Sequence, residues 1–185
     1  MTIYALSSSP GLSGVAVIRI SGSEAEKIIL SLTNKNLPSP RVATLRKIIN
    51  SNSNELIDEG IVIWFPGPNS YTGEDMAEFH VHGSKAVIQA VLDNISKIEN
   101  CRLAEAGEFT KKAFYNEKIN LLKAEGIGDL IASETEMQRK QAIKIMSGKN
   151  SDKFNSWREI LLKTLSNLEA KIDFPEEDLP DKIIN

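Results

Sequence analysis

The chain has 185 residues, enough for one domain or one domain and part of another, and enough to bury a core without disulfide or metal staples. Lys and Arg number 22 against 25 Asp and Glu, a net charge of −3. That balance speaks against a free-standing nucleic-acid binder and leaves a small-molecule site or a protein interface open. A single cysteine, Cys101, excludes an internal disulfide and any cysteine-rich zinc site. The stretch Met1-Thr2-Ile3-Tyr4-Ala5-Leu6 has no basic flank and no long apolar run, so it does not read as a signal peptide. No window approaches the roughly 18 uninterrupted apolar residues of a membrane span. The default expectation is a cytoplasmic location with no membrane partner.

The first part reads as short strands and helices in alternation. Residues 2–6 form a weak strand, and residues 7–14, with Pro10, Gly11 and Gly14, a turn-rich loop. Residues 15–20 (VAVIRI) are short, β-branched and apolar, the signature of a buried strand with apolar neighbours on both faces. Ser23 followed by Glu26, then Ile28, Ile29 and Leu32, predicts a capping box opening a short helix, which the segment 34–40 breaks. Residues 42–49 are strand-like, 50–54 a polar turn and 57–65 a stronger strand. The loop at 66–73 (PGPNSYTG) is long and irregular, a kind of segment that often carries binding residues. Residues 76–82 predict another strand. Val87, Ile88, Val91, Leu92, Ile95 and Ile98 fall on one face of a helix, and Leu103 with Ala104 suggests an edge strand.

After about Gly107 strand signals stop. Residues 109–116 and 121–131 predict two short helices. Residues 133–173 contain no proline and only Gly148 interrupts them, while Phe154, Trp157, Leu161, Leu165, Leu168 and Ile172 recur at spacings of 3 or 4. If continuous, those ~40 residues would span ~60 Å. Phe174-Pro175 is expected to stop the helix, and the acidic run 176–178 reads most simply as a solvated linker. The fold class is therefore α+β, a mixed sheet with packed helices, followed by an all-α segment that looks incomplete.

No phosphate loop is present. Gly148-Lys149-Asn150 lacks both the upstream glycine and the hydroxyl, and Gly126-Ile127-Gly128 fails the dinucleotide pattern because Ile131 stands at the third glycine position. His80 and His82 share one strand face with Glu78, which suits either two metal ligands and a carboxylate or, more simply, hydrogen-bonded histidines on a polar face. Arg19 inside VAVIRI needs a carboxylate or a ligand, because an unpaired buried guanidinium is very costly; a structural ion pair or an exposed strand end is the bland alternative. Lys118 by itself reads as a solvated lysine. Cys101 beside Arg102 reads as a buried or incidental thiol rather than a reactive one. Glu74 and Asp75 suit magnesium or, more simply, a turn cap. Pattern alone identifies no reaction.

Several collinear blocks do resemble a known family. They are Pro10-Gly11-x-x-Gly14-Val15-x-Val17-x-Arg19-Ile20-Ser21-Gly22, then the loop from Trp64 through Pro66-Gly67-Pro68-Asn69-Ser70-Tyr71-Thr72-Gly73 to Asp75, and Glu78-x-x-x-His82-Gly83. Ala106-Gly107-Glu108-Phe109-Thr110 running to Asn116-x-Lys118, Lys123-Ala124-Glu125 with Asp129-Leu130-Ile131, and Ile172-Asp173-Phe174-Pro175-Glu176-Glu177 complete the set. Together they resemble the N-terminal part of the MnmE (TrmE) family of tRNA modification GTPases, over essentially the whole chain. Gly126 and Gly128 stand where the family usually has alanine, an expected cost of about 1 kcal/mol each in that helix.

The resemblance implies residues 1–117 as a tetrahydrofolate-binding and dimerisation domain, similar in fold to the folate-binding domain of the glycine-cleavage aminomethyltransferase. Residues 118–185 would be the first part of a helical domain, cut before the GTPase domain and the returning helices. It further implies that Arg19, Glu78 and Lys118 contact folate, as 5-formyl- or 5,10-methylene-tetrahydrofolate. A carboxylate such as Glu78 can accept from a pterin N–H and its exocyclic amine together, and Arg19 or Lys118 suits the carboxylates of the folate tail. The family's wider chemistry would be modification of the wobble uridine of tRNA at C5. It would involve a homodimer, the FAD-containing partner MnmG, and GTP hydrolysis dependent on potassium and magnesium. Two other classes stay open. One is a stand-alone one-carbon enzyme of the aminomethyltransferase type, with Glu74, Asp75 or His80 as acid or base. The other is a dimerisation scaffold whose folate site is vestigial.

Overall fold

The computed structural model describes residues 1–173. The proline stop at Phe174-Pro175 and the acidic run at 176–178 lie outside the described residues. Contacts divide the chain into one unit over Met1–Ile119 and a second from Asn120 onward.

The first unit is a mixed six-stranded sheet with helices packed on it. Its strands are β1 (Thr2–Leu6), β2 (Ser13–Ser21), β3 (Thr44–Ile49), β4 (Leu56–Phe65), β5 (Met76–Gly83) and β6 (Cys101–Leu103). The order across the sheet is β3-β4-β5-β2-β1-β6. Every pairing is antiparallel except β1 with β6. That exception follows from the connection. Helix α2 (Lys85–Ser96) carries the chain from β5 across β2 and β1, so β6 arrives parallel to β1, as a crossover requires.

The two sheet faces differ. On one, Ile18 and Ile20 of β2, Ala77, Phe79 and Val81 of β5, and Val62 and Trp64 of β4 meet α1 (Ala25–Thr33) and α2. Ala25, Ile28, Ile29 and Leu32 of α1 and Val91 and Ile95 of α2 complete this core. Each fully buried Ile, Leu or Phe contributes about 1.5–3 kcal/mol. Strand β2 alternates, with Ala16, Ile18 and Ile20 buried and Val17 and Arg19 half-buried on the opposite face. The expectation of burial on both faces is corrected. A short apolar run cannot distinguish one-sided from two-sided burial when the second face carries valine.

The capping box expected at Ser23 does not form. Ser23 Oγ donates to Glu24 Oε1, and Glu24 takes the cap position without a side-chain cap bond. The backbone N–H of Glu24 instead donates at 2.9 Å to the hydroxyl oxygen of Thr2, a fully buried residue on β1. Helix α3 (Glu108–Tyr115) begins with its own anchor. The Glu108 carboxylate accepts a two-pronged ion pair from Arg102 of β6 and reaches back to the Glu105 backbone N–H at 2.8 Å.

In the second unit, α4 (Leu121–Ile131) and α5 (Glu136–Met146) pack on each other, and α6 (Lys149–Asp173) follows. Thr135 and Gln138 form the capping box of α5. The continuous ~60 Å helix is corrected to two helices, because Gly148 turns the chain with a φ of 83° that other residues rarely adopt. Gly126 is also reassessed. A Cβ there would lie 2.8 Å from Met146 Cγ, so its absence lets α4 and α5 approach closely. The helix-propensity cost is offset by packing. On α6, Trp157, Leu161, Leu165 and Leu168 stay exposed.

The Arg102 hydrogen bonds hold the Glu108 carboxyl down at about 2. A carboxyl depressed on folding contributes stability that is full above the ordinary glutamate range and is lost as pH falls toward about 2. Thermal melts between pH 5 and 2 should therefore show a steeper loss for the wild type than for Glu108→Gln, and parallel curves would refute this contribution.

Candidate functional site

The face opposite the core carries the polar residues. Arg19 of β2 and Glu78 of β5 stand directly opposite in the antiparallel register. Cross-strand neighbours on one face lie about 5 Å apart at Cβ, so the two side chains meet. Arg19 Nε donates to Glu78 Oε1 at 2.9 Å. The Arg19 side chain is 31% exposed and that of Glu78 is 16% exposed. The arginine therefore has its carboxylate, and the pair remains open to solvent on one side. Because the bond is made through Nε alone, Glu78 does not engage the guanidinium's terminal nitrogens.

Two aromatic rings wall the pair. The Arg19 guanidinium carbon lies 5.9 Å from the Tyr71 ring centroid and 5.7 Å from that of Phe109. At this range a ring face attracts a cation. Tyr71 comes from the loop before β5 and Phe109 from the first turn of α3, and Tyr71 Oη bonds Thr110 Oγ1 at 3.0 Å. Neither ring is assigned a role by pattern alone. The signal available was an aromatic in a long irregular loop, but its partner lies 52 residues away in sequence.

The loop is tied down by its neighbouring residues. Thr72 is fully buried and its hydroxyl shares a 2.7 Å bond with Ser21, which also donates to Glu74 Oε2 at 2.7 Å. Lys112 of α3 donates to the same oxygen at 2.6 Å, and Asn116 Nδ2 donates to the Thr72 carbonyl at 2.7 Å. Asp75 accepts from the Gly67 backbone N–H at 2.8 Å, closing the loop's base. Glu74 and Asp75 are thus both committed to holding the loop.

Lys118 lies just beyond α3 and is exposed. Its aliphatic stem rests on Gly73, where an added Cβ would fall 2.7 Å from Lys118 Cε. The lysine is therefore brought to the loop that bears Tyr71. Of the two histidines, His80 shares a 3.2 Å contact with Glu78 Oε2, while His82 turns to Asp58 of β4. Burial works to raise the Asp58 carboxyl, but bonds from the His82 backbone N–H and ring outweigh it and leave it below the ordinary range. Glu78 is thus held between a guanidinium and an imidazole. Cys101 sits on β6, half-buried against the core, and burial pushes its thiol up. Arg102, the neighbouring cation, is engaged by Glu108.

The residues gathered here are an acceptor carboxylate, cations and aromatic walls, a set suited to a planar, hydrogen-bonding, anionic ligand rather than to covalent chemistry. Among the described residues no three metal-ligating side chains converge.

Comparison with known proteins gives a consistent result. Residues 2–118 match the family model described as the GTP-binding protein TrmE N-terminus, and residues 121–184 match that of the MnmE helical domain. The tRNA modification GTPase MnmE of Pelagibacter ubique is 69% identical over 184 residues, covering all of this chain and 42% of that protein. Its counterpart in Rickettsia akari is 50% identical, again over the whole chain and 41% of the relative. A mitochondrial 5-taurinomethyluridine tRNA synthase subunit of Danio rerio, GTPB3, is 49% identical over all of this chain and 37% of its own length. The chain thus spans about two-fifths of the length of the curated relatives it matches.

Gly73 has a φ of 80° and supports the Lys118 stem. A Gly73→Ala substitution should cost about 1–2 kcal/mol from the left-handed backbone alone, read as a lower urea midpoint. An unchanged midpoint would show that the loop relaxes freely.

Proposed function

The chain belongs to the MnmE (TrmE) family, and from that premise we propose that its first unit holds a reduced folate through Arg19, Glu78 and Lys118. The observation that carries this reading is the Arg19–Glu78 pair, open on one side and walled by Tyr71 and Phe109. A pterin edge offers an N–H and an amine to a carboxylate, and its flat ring suits aromatic walls. Arg19 is already bonded to Glu78, so it orients that carboxylate at the pterin end. Lys118, the exposed cation that rests on this loop at Gly73, is left for the tail carboxylates. When bound, 5-formyl- or 5,10-methylene-tetrahydrofolate supplies a one-carbon unit.

In this reading the chain serves a tRNA modification GTPase that acts with MnmG on C5 of the wobble uridine, in the cytoplasm. GTP, potassium and magnesium would serve the family's GTPase domain, since these 185 residues hold no phosphate loop. Homodimerisation through the first unit is supported by exposed apolar side chains, Leu12, Val15 and Leu45 among them. The engagement of Glu74 and Asp75 within the loop counts against their use as acid or base in a stand-alone one-carbon enzyme.

Calorimetric titration of the full chain with 5-formyltetrahydrofolate tests the assignment. Hydrogen bonds to charged groups are worth about 1.5–3 kcal/mol, so Glu78→Ala and Arg19→Ala should each weaken binding by roughly 10- to 100-fold. Binding untouched by both substitutions would overturn the site. A wild type that dimerises but binds no folate would favour the scaffold reading.

A further inference from the structure

The four residues 71–74 alternate in what they touch. Tyr71 covers Arg19 and Gly73 supports Lys118, while Thr72 and Glu74 turn away toward Ser21 and Lys112. One pair of residues builds the candidate site and the other fastens it. We infer that Lys112 is a positioning residue for the folate site, latching Glu74 so that Tyr71, Phe109 and Lys118 are held in one arrangement around Arg19 and Glu78. The inference rests on the folate reading and extends it to residues that touch no ligand.

Helix α3 and the Asn116 that caps it meet the loop at three points. Thr110 bonds the Tyr71 hydroxyl, Lys112 pairs with Glu74, and Asn116 donates to the Thr72 carbonyl. The same helix carries Phe109 at its start and runs out toward Lys118 at its end. Loop and helix therefore position three of the site's side chains jointly. Lys112–Glu74 is the one ion pair between them among the described residues, and it is partly shielded, the lysine side chain being 18% exposed. Lys112 Nζ also donates to the Met1 carbonyl at 3.2 Å, which ties α3 to the start of β1. Without the ammonium, the Glu74 carboxylate keeps only Ser21 and loses its hold on the helix.

Lys112 lies outside the apolar core formed with α1 and α2. Its removal is therefore expected to act on the site more than on the fold. The loss should appear mainly as faster ligand release, because a loosened site still admits ligand but retains it poorly.

The experiment is a double-mutant cycle on the full chain with Lys112→Met, Glu74→Gln and both together. It reads the affinity and dissociation rate for 5-formyltetrahydrofolate beside the melting temperature. Each single variant should lose about tenfold in affinity, chiefly in dissociation, with melting lowered by only a few degrees. The double variant should lose no more than either single one. Lys112→Met binding as the wild type does, or losses that add in the double variant, would overturn the latch. Should Lys112→Met fail to fold, Glu74→Gln alone carries the test, since it keeps the shape and removes the charge. A wild type that takes up no folate overturns the folate reading and this inference with it. A wild type that binds, is weakened by Glu78→Ala and is indifferent to Lys112→Met overturns only the latch.

Discussion

Arg19 and Glu78 meet because β2 and β5 pair antiparallel in a register that sets them opposite one another. The same register sets Ile18 opposite Phe79 and Ile20 opposite Ala77 on the other face, under α1 and α2. Side chains alternate with a period of two, so a slip of one residue would turn the arginine into the core and the isoleucines out of it. Burial of those apolar residues thus enforces the register, and the register delivers the ion pair. The site is a by-product of packing on the opposite side of the sheet.

Sheet register alone leaves the pair exposed. The walls come from the loop at 66–75 and from α3, and the second cation from just beyond α3; none of these belongs to the sheet. A loop of this length has no ladder to fix it, so its backbone must be held by side chains. Here a fully buried threonine hydroxyl, a serine and an ion pair do so, next to the paired strands. The arrangement combines a rigid strand pair that supplies charge with a fastened loop that supplies shape.

Much of the scaffold was legible in the sequence. The helix over Leu121–Ile131 and the strand from Met76 follow from periodicity, because each element carries its own pattern. What was not legible depends on residues distant in sequence. At the start of α1 the Glu24 backbone N–H goes to Thr2 rather than into a capping box, and no local pattern shows a donor-acceptor pair spanning 22 positions. Gly126 reads in sequence as a weak point in a helix, and only the approach of Met146 from α5 explains it. Apolar neighbours make Arg19 stand out in the sequence, yet its carboxylate lies 59 residues on and only strand pairing reveals it. Lys118 carries no local signal, and its relation to the loop depends on a glycine that leaves room for its stem.

The energetics separate the scaffold from the site. An ion pair with about a third of one partner exposed contributes on the order of 0–1 kcal/mol to folding, against about 1.5–3 kcal/mol for each large apolar side chain buried on the other face. Arg19 and Glu78 are therefore not what holds the sheet together. Glu78 sits between Arg19 and His80, so its hydrogen-bonding capacity is partly used within the protein, and a ligand meets an acceptor already oriented. Such an acceptor loses little freedom when it binds, and preorganisation of this kind contributes to affinity rather than to stability. The core face sets where the strands lie; the polar face adds little to that task, which leaves its residues available for a binding site.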